Sequence, residues 1–162
     1  MPKLPFRSLS AVALAVVVGA CAPPPPPDTT AADTAAINAL RDAWVTAYNA
    51  ADADAVANLY TEDAVDMPSQ QPTASGRAAV RDLMASQFAT GTAVATVTSD
   101  EMQLMGDWAF DRGTFTVNIT PAAGGDPVMT GGRYIVILRR QADGSWKLAR
   151  GIDNSPVAPA GM

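Results

Sequence analysis

Apolar positions along the chain change their period once, near residue 92, and that change divides the fold. Before it, Ile37, Leu40, Trp44, Val45 and Tyr48 recur at helical spacing, with Asn38, Arg41, Asp42 and Thr46 assigned to the opposite face. Asp33 or Thr34 is placed to cap this helix. The pattern breaks at Asn49 to Asp52, and Asp52 is positioned to cap a second, short helix through Val56 to Leu59 or Tyr60. Ala64 to Met67 is a short strand-like stretch ended by Pro68. A polar loop carrying Pro72 then runs to Gly76, and a third helix sets Val80, Leu83, Met84 and Phe88 on one side against Arg77, Arg81 and Asp82 on the other.

From Thr92 onward β-branched and aromatic residues dominate, with turn signals at hairpin spacing. The reading gives strands from Val94 to Met105, Trp108 to Thr120, Met129 to Arg140 and Trp146 to Asn154. Gly106-Asp107 and Asp143-Gly144 are tight-turn dipeptides, and Gly124-Gly125 marks a longer hairpin loop. Gly113 inside the second strand signals a bulge or bend. Three helices followed by an antiparallel meander predict an α+β fold, with helices packed in a curved sheet to which Ala64 to Met67 adds one strand.

The N-terminus reads as an address. Lys3 and Arg7 precede an apolar run from Leu9 to Val18, about half of the roughly 20 residues a membrane-spanning helix requires. Val18-Gly19-Ala20-Cys21 follows and resembles a bacterial lipobox, in which the cysteine is lipidated and the signal is cut before it. Pro23 to Pro27 then forms a semi-rigid spacer. The expected organisation is a signal peptide over 1–20, lipidated Cys21 and a Pro-rich linker over 21–32, a folded domain over 33–155 and a tail over 156–162. The expected location is the bacterial cell envelope, lipid-anchored after export, at the outer membrane or periplasmic face.

Composition narrows the chemistry. The 162 residues include no histidine, which removes histidine bases and the commonest metal ligand. One cysteine allows neither an internal disulfide nor a zinc cage. Sixteen acidic against eleven basic residues, a net charge of −5, argues against a nucleic-acid partner. With 48% hydrophobic and 17% charged residues the chain has the material for one core. No cofactor or metal is expected.

Several motifs carry a family resemblance. Ala43-Trp44-Val45-Thr46-Ala47-Tyr48-Asn49-Ala50-Ala51-Asp52, Leu59-Tyr60-Thr61-Glu62-Asp63-Ala64-Val65, Met67-Pro68, Gly76-Arg77, Asp111-Arg112-Gly113-Thr114-Phe115, Gly132-Arg133-Tyr134 and Asp143-Gly144-Ser145-Trp146-Lys147-Leu148 stand in order. Together they resemble the nuclear transport factor two-like superfamily, which holds ketosteroid isomerases and SnoaL-type polyketide cyclases. The resemblance runs toward its bacterial lipoprotein branch and covers about Thr34 to Ser155. It implies a cone-shaped, cystatin-like domain with one apolar pocket, commonly a homodimer.

What the resemblance implies for catalysis is loss. The isomerase tyrosine of the first helix falls on Trp44, and the aspartate base immediately before the proline falls on Met67. Asp66, one residue away, is expected on the opposite strand face. The pocket is expected to be lined by Trp44, Tyr48, Tyr60, Met67, Met84, Phe88 and Tyr134, with Asp153 near its mouth, where the branch usually has an aromatic. Met102, Met105 and Met129 either extend that soft wall or face a partner subunit. Asp66, Asp111 and Asp153 are the weak catalytic candidates; their plain reading is solvation or pairing with Arg112, Arg133 or Arg150. The leading expectation is a domain that binds a small apolar or amphipathic molecule or a partner protein without isomerase catalysis. An enzyme of the cyclase, isomerase or hydratase type using one of these carboxylates, and a structural dimerisation module, are the alternatives.

Overall fold

A computed structural model describes residues 29–155. The expected signal peptide, Cys21, the proline run and the tail over 156–162 lie outside the described residues. Helix α1 spans Thr30–Asn49, α2 Ala53–Asn58 and α3 Arg77–Phe88; the strands are β1 Tyr60–Met67, β2 Ala74–Ser75, β3 Gly91–Met105, β4 Trp108–Pro121, β5 Val128–Arg140 and β6 Trp146–Asn154. All six strands form one sheet in the order β2-β1-β6-β5-β4-β3. This is the expected α+β architecture, with the helices held against one face of the sheet. Among the described residues no helix is long and apolar enough to cross a membrane.

Two boundaries differ from expectation for physical reasons. Helix α1 begins a turn early because Asp33 is no cap: it sits in the first turn, buried, and accepts from Thr29 Oγ1, Trp146 Nε1 and Arg140. Asp52 does cap α2, accepting from the Ala55 amide at 2.9 Å. Strand β1 starts at Tyr60 rather than Ala64, because it runs parallel to β6 and not along an antiparallel meander. Its register is interrupted: Tyr60 faces Leu148 and Val65 faces Arg150, so five steps along β1 match two along β6.

The central hairpins follow the sequence reading closely. Gly113 stands opposite the register shift between Ser99 and Glu101, and a Cβ there would collide with the Thr98 carbonyl. The core gathers Ile37, Val56, Val80, Met84, Leu138, Trp146 and Leu148 between helices and sheet.

Candidate functional site

The strand pairings place the polar groups of the inner face in two transverse rows. Asp66 pairs with Gly151, Gly151 with Val136, and Val136 with Asp111, across β1, β6, β5 and β4. One row further, Asp153 pairs with Tyr134, Tyr134 with Gly113, and Gly113 with Ser99. Between these rows and helices α1 and α3 lies a cavity of about 560 Å³. Residues Trp44, Tyr48, Tyr60, Met84 and Tyr134 line it, with Asp66, Asp111 and Asp153. A volume of this size suits a small organic molecule.

Two expected wall residues are elsewhere. Met67 belongs to the outward row, opposite Ile152, which in turn faces Ile135, and it is 36% exposed. Because strand neighbours alternate faces, the phase that turns Met67 out turns Asp66 in. Asp66 rather than Met67 is therefore the residue of this pair that faces the cavity. Phe88 does not line the cavity; it meets Tyr48 edge-on, with ring centroids 5.2 Å apart, and helps support the aromatic wall from behind. Met105 and Met129 are exposed and Met102 packs against the core, so none of the three forms the wall.

Asp111 anchors one flank. It is buried and paired not with Arg112, Arg133 or Arg150 but with Arg41, whose Nε and Nη2 donate to Oδ2 at 3.0 and 2.8 Å. Ser99 Oγ donates to Oδ1, and the Tyr134 hydroxyl to Oδ2 at 3.2 Å. Arg112 is engaged instead by Glu101 and Asp100. With four donors upon it, Asp111 is a held acceptor, and burial together with its charge pushes the Tyr134 hydroxyl up to about 12.

The opposite flank is less satisfied. Burial, then the charge of Asp153, pushes the Asp66 carboxyl up to about 6. Burial also raises Asp153, against which the Ser69 amide, donating at 3.3 Å, works in the other direction. Gly151 is what admits the Asp66 carboxylate, since a Cβ at that position would collide with Oδ1. Trp44 and Tyr48 stack at 4.9 Å with planes 17° apart. The Tyr60 hydroxyl is raised well above its usual value by burial and by Asp66, opposed by a hydrogen bond from Trp44. Among the described residues no three His, Cys, Asp or Glu side chains gather into a metal site.

Residues 42–149 match the model of the SnoaL-like domain. The chain belongs to the SnoaL-like domain family. This SnoaL-like chain is also similar to a ketosteroid isomerase-like protein from Erwinia carotovora atroseptica, at 32% identity and a TM-score of 0.68, covering 77% of this chain and 96% of that one. A candidate aromatic ring hydroxylase from Novosphingobium aromaticivorans is 27% identical with a TM-score of 0.71, over 79% and 92% of the two chains. A nuclear transport factor two-like protein with a cystatin-like fold from the same organism matches at 21% identity and a TM-score of 0.69, over 80% and 86%. A comparison with curated proteins finds no match.

The sequence pattern misses one site residue of this SnoaL-like domain and misjudges the facing of another. It sets Arg41 on the polar face of α1, yet Arg41 lies four residues after Ile37 and three before Trp44, on the same cavity-lining stripe. Its charge hid a spacing that was visible. Asp66 is among the weak candidates but expected on the opposite strand face, because the resemblance fixes the phase of β1 from the proline after it and no sequence signal reports the irregular pairing upstream.

Proposed function

We propose that this SnoaL-like chain is an acid–base enzyme acting on a small amphipathic molecule, held at the cell envelope by lipidated Cys21 and paired as a homodimer. The observation that carries the reading is Asp66: a carboxylate aimed into an apolar cavity, with its pKa moved to about 6 by burial and by Asp153. Groups shifted toward neutrality inside clefts are matched to proton transfer near physiological pH.

The chemistry that fits is abstraction of a proton from a carbon beside a carbonyl. Asp66 takes that proton, and the electron pair moves to the carbonyl oxygen, where a Tyr48 or Tyr60 hydroxyl lining the same cavity donates to it. Return of that proton from Asp66 to another carbon isomerises the molecule; its transfer from Asp66 to a departing β-hydroxyl, as the enolate electron pair forms the new C=C bond, releases water and dehydrates it. Similarity to an isomerase-like protein supports this class of reaction. The outward row Met67, Ile152 and Ile135 supports pairing, because it is an apolar stripe on the sheet's outer face.

A second reading, binding without catalysis, is favoured by one observation. The Tyr134 hydroxyl and the Trp44 indole N–H are already engaged by Asp111 and Tyr60, which leaves few donors for an oxyanion. Deuterium exchange from solvent into a small aryl ketone, followed by NMR, separates the two. Catalysed exchange that falls about 10²–10⁴-fold in Asp66→Asn supports the enzyme. A ketone that binds while exchanging at the uncatalysed rate in both proteins leaves only the binding reading.

A further inference from the structure

The charges around the cavity do not balance. Its lining carries three carboxylates, Asp66, Asp111 and Asp153, and one guanidinium, Arg41. Arg41 is already committed, to Asp111 at 2.8 Å and to the Asn38 side chain at 3.0 Å. Asp66 and Asp153 stand on adjacent strands, Asp66 opposite Gly151 and Asp153 two residues beyond it. Among the described residues neither forms an ion pair with an arginine or lysine. Arg150, the nearest in sequence, donates instead to the carbonyls of Asp63 and Ala149. Among the described residues the Ser69 amide makes the one hydrogen bond on the pair, and it reaches only Asp153. Two like charges thus face the same apolar space, and their mutual field extends to Tyr48 and Tyr60.

On the reading that this cavity holds a small molecule, we infer that its ligand is an amphipathic amine, with an ammonium headgroup at Asp153 and Asp66 and an apolar body against Trp44, Tyr48 and Phe115. An organic cation relieves the repulsion between the two carboxylates; a neutral head leaves it in place, and an anionic head adds to it. The stacked Trp44–Tyr48 pair offers aromatic surface beside the carboxylates, and aromatic faces attract cations. The net charge of −5 favours approach of a cation from solution. Seated toward Asp153, the ammonium also holds Asp66 in the ionised form that proton abstraction requires.

Three probes of one shape and different heads test this: 4-phenylbutylammonium, 4-phenylbutanol and 4-phenylbutanoate, titrated calorimetrically into the full chain in phosphatidylcholine nanodiscs, with empty discs as blank. The ammonium is expected to bind at least about tenfold more tightly than the alcohol, and the carboxylate most weakly. The double variant Asp66→Asn with Asp153→Asn, with an unchanged near-ultraviolet circular dichroism spectrum, is expected to bring ammonium and alcohol to near parity. An alcohol that binds to the wild type as tightly as the ammonium, or a preference that survives the double substitution, overturns the amine while leaving the cavity reading intact. No binding of any probe overturns both.

Discussion

Asp66 is held in the folded chain at an energetic disadvantage, and its removal should make the protein more stable. The carboxyl moves from 3.8 to about 6 on folding, with burial as the larger cause and Asp153 as the smaller. A raised acid binds its proton more tightly in the native state, so its cost is full above the folded pKa and fades below the unfolded one. The shift corresponds to about 3 kcal/mol at pH 8 and to less than about 1 kcal/mol at pH 4. Asp66→Asn removes the charge at both pH values. An amide that finds no partner takes back about 1 kcal/mol, but equally at each pH. The variant should therefore gain about 2 kcal/mol more at pH 8 than at pH 4, a difference of roughly 6–10 °C in Tm for a domain of this size. Calorimetric melts of wild type and variant at the two pH values measure it. An equal gain at both, or a gain that grows as the pH falls, refutes the assignment of Asp66 as a desolvated carboxyl in the cavity.

Asp111→Asn should destabilise by about 3–5 kcal/mol in urea unfolding, because it strips Arg41 of its buried partner; adding Arg41→Met should restore much of the loss, a coupling that a double-mutant cycle reads directly. Ile135→Asp with Ile152→Asp should convert a homodimer to monomer in sedimentation equilibrium, since both residues lie on the exposed apolar stripe; a wild type that is already monomeric at micromolar concentration contradicts the pairing. Cys21→Ser should move the chain from the membrane to the soluble fraction with its circular dichroism unchanged, and a variant that still pellets with membranes contradicts lipid attachment.

Much of this architecture was legible because its signals are local. Asp52 caps α2, the Gly106-Asp107 and Asp143-Gly144 turns join their strands, and Gly113 marks the place where β3 and β4 change register. Each depends on a few neighbouring residues, which a linear reading sees whole. The aromatic wall was legible for the same reason: Trp44 and Tyr48 share a helical face set by spacing alone. What failed was everything that required a partner distant in sequence. The partner of Asp111 is seventy residues away on α1, and that of Asp33 is Arg140, on the far end of β5. The inward turn of Asp66 depends on how β1 meets β6, and a parallel pairing across some ninety residues leaves no trace in the composition of either strand.

The irregular stretch of β1 also has an evolutionary consequence. Between Tyr60 and Val65 the strand carries more residues than its partner requires, so a change of length there is absorbed locally while Tyr60 and Pro68 keep their places. Losing or gaining one residue in that stretch leaves Val65, Asp66 and Met67 opposite their β6 partners, so the carboxylate stays turned toward the cavity. A lineage carrying this bulge can therefore vary the length of β1 without changing which side chain that strand presents to the cavity.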